Sequence, residues 1–75
     1  MNSPQRLTAI IEREEDGYVA LCPELDIASE GESIEESRAN LIEALTLFFE
    51  TASPSEIARR VHYDVFVTQV EVPVG

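Results

Sequence analysis

The 75-residue chain predicts an α+β domain, a two-layer βββαβ arrangement with a mainly antiparallel sheet and one long helix packed on one face. Three observations carry this expectation. Residues 31–50 have the apolar spacing of an amphipathic helix with a capping signal at its start. Residues 7–22 hold two strand-like runs on either side of Glu15-Asp16-Gly17. Residues 61–72 are rich in Val and aromatic side chains and read as a long strand. A chain of this length makes one domain, and folding buries only about 60% of the surface its unfolded form exposes, so burial against a partner adds stability.

In chain order, the first strand is expected over residues 7–14, with Leu7, Ala9 and Ile11 on one face and Thr8, Ile10 and Glu12 on the other. Asp16-Gly17 suits a tight turn because these residues accept positive φ. Residues 18–22, Tyr-Val-Ala-Leu-Cys, return as the second strand. Pro23 ends that ladder because it has no N–H to donate. Residues 23–26 connect to a short third strand, 27–30, which runs into Gly31.

Ser33 then caps the helix, Glu36 takes the return position of a capping box, and Glu32 and Glu35 suit the positive end of the helix dipole. At about 100° per residue, Ile34, Leu41, Ile42, Ala44, Leu45, Phe48 and Phe49 fall in one sector. Arg38 interrupts that sector, where its stem can lie on the core while the guanidinium reaches water. Leu47 points from the polar side.

Beyond the helix, Ser53, Pro54 and Glu56 repeat the capping pattern and predict a helical turn over residues 57–60, with Arg59 and Arg60 at its negative end. In the last segment Val61, Tyr63, Val65 and Val67 share one face and Phe66, Val70 and Val72 load the other. One helix covers one face of a sheet, which leaves Ile10, Val19, Leu21, Phe66 and Val70 for an open face. A homodimer or higher homo-oligomer is therefore expected, with Tyr63, Val65 and Val67 at the dimer interface where the last strand pairs with its copy.

Fifteen acids stand against five Arg and no Lys, a net charge of −10. Such a field repels phosphate backbones and anionic membranes and steers basic proteins inward. No signal peptide and no run of roughly 20 apolar residues is present, so a cytoplasmic protein is expected. Cys22 has no partner for an internal disulfide and, between Leu21 and Pro23, reads as a small buried residue. His62 has no metal-ligand or triad partner nearby in sequence. The chain contains no nucleophile elbow, no paired metal ligands and no glycine-rich phosphate loop, so no enzyme, metal or cofactor is expected. A metal-dependent nuclease using clustered carboxylates is the weaker alternative. Glu24, Asp26, Glu30, Glu32 and Glu35 cluster in sequence near the helix start and form the candidate partner-binding rim.

The run Tyr18-Val19-Ala20-Leu21-Cys22-Pro23-Glu24-Leu25-Asp26, followed by Ser29-Glu30-Gly31-Glu32-Ser33, Ile34-Glu35-Glu36 and Asn40-Leu41-Ile42-Glu43-Ala44, resembles the HicB-type antitoxin domain. The likeness spans roughly the middle half of the chain, with Ser37 where that family most often has Ala. The resemblance implies a partial RNase H-like fold without RNase H activity. It also implies a non-enzymatic protein that binds a small basic mRNA-cleaving toxin of HicA type and silences it by covering its active surface. Many members carry a further operator-binding segment; this chain is read as a solitary domain, so direct DNA binding is not expected. An orphan oligomeric module of the same type, without a toxin, is the alternative.

Overall fold

The computed structural model describes residues 5–75; the polar lead read over residues 1–4 lies outside the described residues. Three strands, β1 (Ile10–Glu14), β2 (Gly17–Cys22) and β3 (Ile27–Gly31), form an antiparallel meander in the order β1-β2-β3. Two helices follow, α1 (Ile34–Thr51) and α2 (Pro54–Arg60). The α+β class and the helix on one face of the sheet are as the sequence predicts.

Register decides the faces, because directly opposed residues of neighbouring strands share one side. Ile11, Ala20 and Ser29 are opposed in one row, and Ile10, Leu21 and Ala28 in the adjacent row. Ala20 and Cys22 are fully buried and join Leu25, Leu41 and Leu45 in the core, with Ile11, Ile27, Phe48, Phe49, Leu7 and Val61 packed around them. The face carrying Ile10, Val19 and Leu21 therefore points away from α1. Each fully buried Leu contributes about 1.5–3 kcal/mol. A core of five buried apolar residues among those described is small, as the chain length implies.

Both helix starts follow their capping signals. Ser33 Oγ accepts from the N–H of Glu36 at 3.0 Å, and the Glu36 carboxylate in turn accepts from the N–H of Glu32 at 2.6 Å. Ser53 Oγ accepts from the N–H of Glu56 at 3.1 Å, and α2 extends the expected single turn back to Pro54. The buried stripe of α1 runs through Ser37, Leu41 and Leu45, whereas Ile34 and Ile42 are about half exposed. The cause lies at Gly31. A Cβ there would collide with the backbone N of Ser37 and sit 2.8 Å from the Ser37 Cα and the Glu36 carbonyl carbon. Without that Cβ, the first turn of α1 seats directly on the end of β3, which rotates Ser37 into the core. The helix then lies over β3 and β2 and barely meets β1.

Three sequence expectations are corrected. The hairpin turn takes positive φ at Glu15 (47°), and no glycine does so. Gly17 is needed instead for closeness, since a Cβ on it would lie 2.8 Å from the Gly31 carbonyl oxygen. The first strand begins at Ile10 and not at residue 7, because the Thr8 N–H turns away from a ladder position to the Glu24 carboxylate. The segment 61–72, expected as a fourth strand, pairs with no strand among the described residues. Val61 caps α2 and packs on the core, His62 donates its N–H to the Glu24 carbonyl at 3.0 Å, and beyond Tyr63 the chain continues as an arm. Its Val and Phe spacing specifies a β-compatible backbone, but a strand also requires an edge to pair with.

Candidate functional site

The antiparallel register brings two separate acidic stretches together. Pairing of Glu14 with Gly17 and of Tyr18 with Gly31 sets the β1–β2 turn beside the last residues of β3. An open depression of about 640 Å³ forms there, and Glu14, Glu15, Asp16, Glu30 and Glu32 line it together with Tyr18 and Val19. No Lys or Arg lies among the lining residues. Arg13 stands nearby, its guanidinium carbon 5.8 Å from the centroid of the Tyr18 ring.

The backbone under these acids is held by the start of α1. Asn40 Nδ2 donates to the Glu30 carbonyl at 2.7 Å, and the Glu32 N–H is bound by Glu36. Glu30 and Glu32 thus present exposed carboxylates from a tethered main chain, and Glu35 adds another from the first turn of the helix. Carboxylates crowded at one end of a small domain create a negative potential that attracts and orients a cationic surface. Among the described residues, no group of three or more His, Cys, Asp and Glu is placed to hold a metal ion.

The sequence-predicted rim divides. Glu30, Glu32 and Glu35 lie at this acidic end. Asp26 is exposed at the opposite end of β3, in the turn from β2, where it adopts a positive φ of 56° that Asp tolerates better than most residues. Glu24 is a correction, being 5% exposed and no part of a solvated rim. Its carboxylate accepts from the Thr8 N–H at 3.0 and 3.1 Å and from the Thr8 hydroxyl at 2.5 Å, and Cys22 Sγ lies 3.4 Å away. Burial alone raises a carboxyl pKa, but here the Thr8 hydrogen bonds outweigh it and hold Glu24 below the usual carboxylate value. Burial and the adjacent Glu24 push the Cys22 thiol up, so it is a poor thiolate.

Sequence reasoning missed Glu14, Glu15 and Asp16, which it read as strand end and turn. The available signal was topological: in a three-stranded meander, the first turn and the end of the third strand occupy the same edge of the sheet. The expected dimer residues sit elsewhere. Tyr63 is half exposed and donates its hydroxyl to Gln5 Oε1 at 2.8 Å, Val65 is half-buried and Val67 is exposed. Compared with family models, curated proteins and solved structures, the chain matches none of them.

Proposed function

We propose that this chain is a protein-binding α+β domain whose acidic end captures a basic partner. In particular, it acts as a HicB-like antitoxin-type protein, binding a small basic mRNA-cleaving toxin of HicA type and covering its active surface. The observation that carries this reading is the convergence of Glu14, Glu15, Asp16, Glu30 and Glu32 on one depression with no basic residue in its lining. The net charge of −10 adds long-range attraction for a cationic partner. The residue pattern from Tyr18 to Ala44 and the order of three antiparallel strands before the long helix accord with the antitoxin resemblance. The protein has no catalytic role in this reading; it acts by occupying the surface that would meet RNA.

The test is the rate of association with a HicA-type nuclease, measured for the wild type and for the triple variant Glu30→Lys, Glu32→Lys, Glu35→Lys. All three side chains are exposed, and circular dichroism of the variant checks that the fold is kept. Slower association that converges with the wild type at high salt supports the reading. Identical rates at low salt would refute the role of the acidic end.

A further inference from the structure

The arm that follows α2 is the part of the molecule its fold leaves unexplained. Phe66 is 89% exposed, Val70 78% and Val74 95%, although these are residues that folding normally covers. The radius of gyration is 14.6 Å and the longest extent 52 Å, against a short axis of 19 Å. A compact domain of this length has a radius of gyration of about 11 Å. The arm therefore stands away from the body and is not folded onto it.

The body has a matching deficit. β1 is an outer strand of the sheet with no neighbour on its far side among the described residues, and α1 barely covers it. On the side away from the helix, Ile10, Leu21 and Val19 are only half-buried. An unpaired edge beside an apolar face accepts an added strand, whose main chain completes the ladder while alternate side chains cover the face.

We propose that the arm of one copy adds as a strand to the β1 edge of a second copy, with Phe66 and Val70 covering Ile10, Val19 and Leu21, and that the exchange is reciprocal. A second copy is the favoured occupant because the same chain carries both the exposed apolar arm and the bare β1 edge, so one reciprocal exchange satisfies both. Residues 65–72 are eight residues of strand composition, and at about 3.3 Å per residue they reach roughly 26 Å, more than the length of the five-residue β1. Pro73 ends the pairing segment, since it has no N–H for the ladder. The exchange does not depend on capture of a basic protein at the acidic end.

The full chain is examined by light scattering coupled to size exclusion, and by isotope-filtered NMR on a mixture of labelled and unlabelled protein. The expected mass is twice 8.4 kDa, with intermolecular contacts from the Phe66 ring and Val70 methyls to Ile10, Val19 and Leu21. The double variant Phe66→Asp, Val70→Asp, altered only at exposed positions, should shift the dimer–monomer equilibrium at least tenfold toward monomer. A monomeric wild type would overturn the proposal. So would a dimer whose intermolecular contacts run only from arm to arm, or one that the double variant leaves intact. The contacts are read on the wild type, so misfolding of the variant does not remove the test.

Discussion

Thr8 gives both its backbone N–H and its hydroxyl to the buried carboxylate of Glu24, sixteen residues away in sequence. This ties the segment leading into β1 to the β2–β3 connection, at the end of the sheet opposite the acidic depression. The Glu24 carbonyl continues the junction by accepting from the His62 N–H, so the arm departs from the same point.

The clamp predicts a pH-dependent stability. Thr8→Val removes the hydroxyl and should cost about 1.5–3 kcal/mol at neutral pH, as expected for a hydrogen bond to a charged group. The folded pKa of Glu24 lies below its unfolded value near 4.5, so the unfolded chain binds the proton first as pH falls. The contribution is complete above that value and is lost as pH drops through the folded pKa. Urea midpoints of wild type and variant should therefore be far apart at neutral pH and converge in acid. A gap independent of pH would show that the charge on Glu24 plays no part.

Gly31→Ala should be severe for a residue that has no positive φ. The new Cβ meets backbone atoms of Glu36 and Ser37, which cannot move without shifting the start of α1. A loss of about 1–3 kcal/mol or more is expected from such overpacking. Ser37→Ala, at the facing position, removes only the hydrogen bond from its hydroxyl to the Ile34 carbonyl and should cost under about 1.5 kcal/mol. Thermal melts of the two variants settle the order, and equal losses would contradict this account of the packing.

Arg60 links α2 to the body by two means. Its guanidinium donates to the Leu25 carbonyl at 3.1 Å and lies 4.9 Å from the centroid of the Phe48 ring. Arg60→Lys keeps the charge but loses the planar stack, so it should recover only part of the roughly 1 kcal/mol that Arg60→Ala removes. Full recovery in denaturant titrations of the Lys variant would point to charge alone.

Cys22 is fully buried with a raised pKa, so a thiol reagent should label it only as fast as the native structure opens. Labelling in the presence of denaturant should accelerate in step with unfolding seen by circular dichroism. Rapid labelling of the native protein would contradict the packing at the end of β2.

The local signals in the sequence were legible where they were self-contained. Ser33 with Glu36 and Ser53 with Glu56 state their caps within four residues, and both form. The rotation of α1 was hidden because it depends on the missing side chain of Gly31, which brings polar Ser37 inside and leaves Ile34 and Ile42 half exposed. Glu24 looked like one more surface acid because its partner Thr8 is distant in sequence. The acids of the β1–β2 turn gained significance only when register placed them beside Glu30 and Glu32. The segment 61–72 carried a true β signal, but alternation specifies a strand's faces and says nothing of where its neighbour lies.

Capture of a basic nuclease at the proposed acidic site is tested by titrating the purified chain into a HicA-type nuclease from the same source and following cleavage of an RNA substrate. Cleavage should fall to zero at a fixed stoichiometry, and the Glu30→Lys, Glu32→Lys, Glu35→Lys variant should require a much higher concentration at low salt. Undiminished cleavage in a stoichiometric excess of the folded wild-type chain would contradict it.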